Sequence, residues 1–365
     1  MLEKGKISPR QLTILVLLTT MGDSVLIFPP PDTHHVTQDA WISALMGLAT
    51  GLLCILIYSK LAKLFPGLTL IQAIQKVFGK WIGTILSLLF LGYTLIVTVG
   101  CLREIADFVV VEMLETTPIP AILGLYIIIM VMATRLGIEV IGRTGEIFAP
   151  LVIFFFLVLT VSIAPQMQFQ RLLPIMSYGI KPAISVAIPI TSYTFLENIV
   201  FLMIVPYVTQ QNKITKSLFQ GTLLGGIAIF VTITVCILVL GPYLAARDLY
   251  PNYNVARRIS VGGFFERVEA LIAIMWMITL FIKATVYFYA FILGLSQLLN
   301  LKEYRAITLP VAIIAVAGAP LIAPNQTYYI YAFDNFWPYF IITFGLILPL
   351  LLWGVGSFRK SLGKN

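Results

Sequence analysis

Apolar residues gather along the chain into ten long runs joined by short polar connections, at about 11–34, 39–64, 81–113, 119–136, 141–164, 182–209, 216–241, 266–298, 305–323 and 333–357. Each run is long enough to cross the roughly 30 Å hydrocarbon core of a bilayer as a helix. Between the second and third runs, Leu70, Ile71, Ile74, Val77 and Phe78 recur at helical spacing around Gln72, Gln75 and Lys76. That pattern predicts a short amphipathic helix over Leu68–Phe78, lying on the cytoplasmic face of the membrane. Residues 242–265 form the longest polar-face connection and are apolar enough to pack down as a partial cap. The pairs Gly47/Gly51 and Gly221/Gly225 have the small-xxx-small spacing of close helix crossings.

Two runs break the apolar pattern at their centres. The first carries Gly22-Asp23-Ser24. Glycine costs a continuous helix roughly 1 kcal/mol against alanine, and a carboxylate at the helix centre costs about 2.5–3.5 kcal/mol on insertion scales. The sixth carries Ile188-Pro189-Ile190-Thr191-Ser192-Tyr193-Thr194-Phe195-Leu196-Glu197-Asn198. Its proline removes a backbone donor and displaces the helix upstream, and the hydroxyl residues that follow can re-satisfy the freed carbonyls. Interruptions at matching places in two five-helix halves, about 9–165 and 180–323/357, point to an inverted-repeat bundle with a solute site where the broken helices meet. The whole chain, 1–365, reads as one polytopic transmembrane domain.

The polarity of the breaks predicts what they bind. The outer half of the first helix should start near Ser24-Val25 and offer backbone donors at its positive end, suited to a carboxylate. Free carbonyls expected near Ile190-Thr191 would suit an ammonium. Together these features point to a small zwitterion, an amino acid. Asp23 would repel an incoming carboxylate unless neutralised, and Lys283, buried in mid-run, is the expected neutraliser through pairing with Asp23 or Glu197. The third run holds a second cluster, Arg103-Glu104-Ile105-Ala106-Asp107, in which Arg103 and Asp107 stand one helical turn apart and should form a structural pair toward the outer mouth, a gate or ligand role being the alternative.

Composition narrows the class. The chain is 59 % hydrophobic and 11 % charged, against roughly 25 % charged in soluble proteins. The net charge of +8 forms no continuous basic patch or arginine-rich arm, which argues against nucleic acid. Of the 24 Lys and Arg residues, sixteen fall at the termini or in connections on their side, six on the opposite side and two within runs. That asymmetry predicts cytoplasmic termini. Cys54, Cys101 and Cys236 each fall inside an apolar run without metal-ligand or redox spacing and read as inert buried thiols. The amino-terminal run is too long and too polar at its centre for a cleavable signal peptide. His34 and His35 stand side by side without a third ligand. No phosphate loop, nucleophile–base pair or metal motif appears, so neither catalysis nor a cofactor is expected.

Several local motifs together resemble the permease-like B subunit of the nutrient germinant receptors of spore-forming bacteria, within the amino acid-polyamine-organocation superfamily. They are Gly22-Asp23-Ser24-Val25-Leu26-Ile27-Phe28-Pro29, Phe65-Pro66-Gly67-Leu68-Thr69-Leu70, Phe78-Gly79-Lys80-Trp81-Ile82-Gly83, Leu172-Leu173-Pro174, Phe195-Leu196-Glu197 and Glu266-Arg267-Val268-Glu269. The resemblance implies an all-α integral membrane protein of ten helices with a LeuT-like fold. It further implies location in the spore inner membrane, assembly with an A subunit and a lipoprotein C subunit, and sensing of a small-molecule nutrient, an amino acid or a sugar. The alternative it leaves open is a proton-coupled amino acid transporter. Carried over residue by residue, the ligand pocket falls on Gly22, Asp23, Ser24, Val97, Leu196, Glu197, Lys283 and Tyr287, next to the Thr191-Ser192-Tyr193 stretch read directly from the chain. Asp23 stands where small neutral residues are usual and Lys283 where a hydroxyl would suit an alanine-type ligand, which shifts the expectation toward a more polar nutrient or co-germinants.

Overall fold

The computed structural model describes residues 2–28, 38–259, 268–323 and 325–362. His34, His35, Pro29, the Glu266-Arg267 half of the last motif and the end of the 242–265 connection lie outside them. Among the described residues the chain is helical throughout, with one isolated parallel bridge between Ile7 and Val208. Ten helical spans are long and apolar enough to cross a membrane: Pro9–Ile27, Ala40–Leu64, Leu70–Met113, Ile119–Leu136, Ile138–Gln166, Ile180–Met203, Gln211–Leu240, Glu269–Leu298, Arg305–Ile322 and Trp337–Arg359. They are called spans one to ten below. The chain is an integral membrane protein.

The spans sort by depth in the bundle. In spans one and six 83 % of the most apolar stretch is buried, against 28 %, 22 % and 28 % in spans four, five and nine. The helices that carry breaks are therefore the innermost, while the peripheral spans turn residues such as Leu125, Ile129, Phe154 and Val161 outward. In a membrane that outward face meets acyl chains and needs no polar partners. Span one lies against spans five, seven and eight, and span six against spans two and ten.

The small-residue pairs seat the two broken helices. A Cβ added at Gly47 of span two would stand 2.8 Å from Ile190 Cγ2 of span six, and one at Gly221 of span seven 2.6 Å from the Thr13 carbonyl oxygen of span one. Side chains at those points would push both helices off their neighbours.

The amphipathic helix is present. The first stretch of span three, capped by Thr69 and Gln72, buries Leu70, Ile71, Ile74 and Val77 and exposes Gln72 and Lys76. It bends into the membrane-crossing part at Gly79, whose φ of +78° only glycine adopts readily. Within the 242–265 connection, Pro251–Arg257 is a short helix packed on spans seven and eight. Its buried Asn252 donates to the carbonyl of Phe28 (2.6 Å), tying the cap to the end of span one.

At the opposite end the first residues are woven into the bundle. Ile7 exchanges backbone hydrogen bonds with Tyr207 and Thr209 (3.0 and 2.9 Å). Glu3, 5 % exposed, accepts from the Gly5 N–H (2.6 Å), the Tyr304 hydroxyl (2.8 Å), the Tyr289 hydroxyl (3.1 Å) and the Ile138 N–H (3.4 Å). Burial acts to raise this carboxyl's pKa, but the four donors outweigh it and hold the group below the ordinary value of 4.5. One connection differs from the expected layout: Gln326–Asn335 is a separate short helix, and span ten starts after it, at Trp337.

Candidate functional site

Span one stops being helical at Met21. Gly22 takes φ +24° and ψ −120°, and helix resumes at Ser24–Ile27. A Cβ at Gly22 would fall 2.7 Å from the Thr19 carbonyl oxygen and 2.6 Å from Lys283 Cδ. Span eight reaches both carbonyls at the break: the Thr279 hydroxyl lies 3.0 Å from Gly22 O and equally from its own helix carbonyl at Trp276, and the Trp276 indole N–H donates to Asp23 O (3.3 Å), which also accepts from the Leu26 N–H (3.2 Å). Such donors matter at this depth, because an unpaired backbone group in hydrocarbon costs several kcal/mol.

Span six is interrupted differently from the expectation. The α-helix ends at Ile190, one wide π turn covers Thr191–Phe195, and a tighter 3₁₀ stretch covers Leu196–Met203. Thr191 and Ser192 turn their hydroxyls back onto the carbonyls of Ala187 (2.8 Å) and Ile188 (2.9 Å), which the Thr191 backbone N–H also reaches, so the chain stays wound there. Carbonyls that draw side-chain donors lie further on. The Tyr58 hydroxyl of span two lies between the carbonyls of Gly345 (2.5 Å) and Leu196 (3.0 Å), its one proton nearer the former, and Tyr287 of span eight donates to Glu197 (2.6 Å). Because the single Tyr287 proton is used there, the Tyr93 hydroxyl 3.1 Å away is the donor between the two tyrosines.

Lys283 joins the two interruptions. Its Nζ is 2.7 Å from Asp23 Oδ2 and 2.5 Å from Glu197 Oε2, and the three residues are 1 %, 6 % and 2 % exposed. The expected pairing thus involves both carboxylates at once. Contact with two anions at this geometry repays the desolvation of a buried ammonium, which one distant charge would not. Ser24 extends the cluster, donating to Asp23 Oδ1 (3.2 Å) or sharing a hydrogen bond with Thr194 (3.0 Å).

A chamber of about 320 Å³ opens beside this cluster, within the range of small-molecule sites. Asp23 and Glu197 form one wall, Val97, Gly100, Cys101 and Glu104 of span three another, and aromatic residues of the Gln326–Asn335 helix and span ten close it. Of the anticipated residues, Asp23, Val97 and Glu197 line the chamber, with Gly22, Ser24, Lys283 and Tyr287 directly behind its polar wall. The Leu196 carbonyl lies 3.0 Å from the Tyr58 hydroxyl, which is closer to the Gly345 carbonyl. The Thr191 hydroxyl faces span two, 2.9 Å from Thr50, and Ser192 is spent on Ile188, so neither side chain joins the cluster. Tyr193 packs edge-on against Phe28, ring centroids 6.0 Å apart.

Three contributors escaped the reading of the sequence: Glu104, Tyr93 and Tyr329. Glu104 sits between Arg103 and Asp107, which pair with each other at 2.8 Å as expected. Its spacing from Val97 and Cys101, seven and three residues, puts all three on one helical face, and that signal was available. All three cysteines are buried and free.

A membrane-crossing helical bundle whose first and sixth helices are interrupted around buried ionisable groups has a transporter-like fold. Residues 6–327 match the spore permease family model, described as Spore germination protein, and the chain belongs to that family of spore germination permeases. It is 25 % identical to Spore germination protein KB of Bacillus subtilis (strain 168), over 99 % of this chain and 97 % of that protein. It is also 25 % identical to Spore germination protein YndE of the same organism, over 98 % of each. Among solved structures it is similar to Mhp1, a nucleobase-cation-symport-1 family transporter in a closed conformation with bromovinylhydantoin bound. That match has a TM-score of 0.62 and 12 % identity, covering 98 % of this chain and 93 % of Mhp1. The expected LeuT-like fold is the one observed. Family and fold are those of a permease, not of an enzyme.

Proposed function

We propose that the chamber receives a small polar nutrient, foremost an amino acid, and that the protein is the nutrient-sensing subunit of a germinant receptor. One observation supports this above the others: three ionisable side chains, each more than nine-tenths buried, converge where spans one and six are interrupted, beside a cavity of ligand size. Ionisable groups at membrane depth are costly and are retained where they serve a solute or ion path. A nutrient that binds one arrangement of the bundle better than another shifts the balance between them by its difference in affinity, and by no more. That shift is relayed to an A-type subunit and a lipoprotein C-type subunit in the spore inner membrane. Both termini face the cytoplasmic side, as the Lys and Arg asymmetry indicates.

Glu197→Ala removes one arm of the cluster, and spores carrying it should lose the nutrient response with protein levels maintained. A normal dose response in that variant overturns the assignment. Screening amino acids and sugars against the purified protein supplies the ligand, since one at 100 times its dissociation constant stabilises by about 2.7 kcal/mol.

The likeness to a symporter and the three-membered charge cluster favour one second reading, proton-coupled amino acid uptake. Concentrative uptake of radiolabelled amino acid by the chain alone in proteoliposomes would establish it over pure sensing.

A further inference from the structure

Glu104 is the ionisable group on the chamber wall that the Asp23–Lys283–Glu197 cluster does not use. It is 8 % exposed and makes no ion pair among the described residues. One carboxyl oxygen accepts from the Tyr329 hydroxyl, while the other, buried, has no hydrogen-bond partner among the described residues. A buried, unmatched carboxylate oxygen forfeits a charge-assisted hydrogen bond worth more than a neutral one.

The rest of the chamber does not compensate it. Among the described residues no Lys, Arg or His lines the cavity, and Lys283 is already held between two carboxylates behind the wall. Asp23, Glu197 and Glu104 therefore present acid to the space, and the facing wall is aromatic: Tyr328, Tyr329, Phe336, Trp337 and Phe340. Aromatic faces attract cations and give anions nothing in return.

We propose that Glu104 and this aromatic wall form a subsite for a protonated amine, so that the chamber selects compact solutes with net positive charge, such as a diamine or a basic amino acid. The amine donates to the unpartnered Glu104 oxygen. Tyr329, on the short helix before span ten, holds the other oxygen and couples the subsite to that helix. This rests on the chamber being the nutrient site, and it adds what that site prefers.

The test uses the full-length purified protein and two matched pairs of probes, putrescine against 1,4-butanediol and L-lysine against L-norleucine, with affinity read by calorimetry. The charged member of each pair should bind about 10- to 100-fold tighter, the loss expected when one charge-assisted contact is missing. Glu104→Gln keeps the shape and should erase the difference, while Tyr329→Phe, which frees the carboxylate from its tether, should reduce it. The wild-type comparison stands even if a variant folds poorly. Equal binding within pairs, a preference that survives Glu104→Gln, or no binding by any of the four probes overturns the proposal. Norleucine binding that disappears in Glu197→Ala yet ignores Glu104→Gln sinks the amine subsite and leaves nutrient sensing intact. A charge preference that holds in solution while spores ignore nutrients does the reverse.

Discussion

Span one breaks abruptly over Gly22 and Asp23, whereas span six keeps winding and changes its pitch from Thr191 to Met203. The two sequences explain the contrast. Glycine supplies a conformation that ends the helix at once, and the Gly22 carbonyl it releases is reached by a neighbour, the Thr279 hydroxyl of span eight. Span six has proline and hydroxyls but stays wound on its own backbone, the Thr191 N–H still reaching the Ala187 and Ile188 carbonyls and the Thr191 and Ser192 hydroxyls folding back onto the same two, while Tyr287 of span eight donates to Glu197. An interruption can thus depend on its surroundings or be self-sustaining. Lys283 ties the dependent kind to the other.

Substitutions that attack the abrupt break should cost most. Gly22→Leu places a side chain against the Thr19 backbone and Lys283, and should remove both the nutrient response and the folded protein, seen as loss of a monodisperse peak in size-exclusion chromatography. Next comes Lys283→Ala, which strands two buried carboxylates. It should lower stability by about 3–5 kcal/mol, and Asp23→Asn in the same chain should recover part of that in thermal melts. A single variant that melts like the parent would mean the cluster is not a linchpin. Tyr287→Phe leaves the Glu197 carbonyl short of a donor, with a loss of about 1–3 kcal/mol. Smallest should be Thr191→Val, whose back-bond to its own helix contributes little, within about 1 kcal/mol. If it proved as damaging as Lys283→Ala, the self-sustaining view of span six would be wrong.

A carboxylate far from both breaks sharpens the comparison through pH. Glu3 has a folded pKa below its ordinary value, so its stabilisation is fully present above about 4.5 and fades as pH falls through the lowered value. Glu3→Gln should flatten the acid limb of a stability–pH profile and leave the neutral region less stable. An unchanged acid limb would show that the Glu3 contacts do not outlast solubilisation.

The span count, both interruptions and the role of Lys283 were legible in the chain, because charge and glycine inside apolar runs are conspicuous. The winding of span six was not. Proline followed by hydroxyls is compatible with an open gap or with a π turn, and the choice was made by the fit of Ile190 and Phe195 against Gly47 and Gly51 of span two. Nor was the aromatic wall legible: Tyr329 belongs to a short helix whose apolar and polar residues mix too evenly to separate it from span ten. Glu104 was visible but overshadowed by the obvious Arg103–Asp107 pair. Contacts between elements distant in sequence leave no local mark.

The anchoring of Glu3 has a practical side. Its carboxylate joins the start of span five, the body of span eight and the residue before span nine, so the amino end works as a bolt across the floor of the bundle. A fluorescent protein or affinity handle attached there would hang its weight on that bolt. Spores that failed to wake with such a fusion would be reporting on the tether, and the nutrient would be blameless.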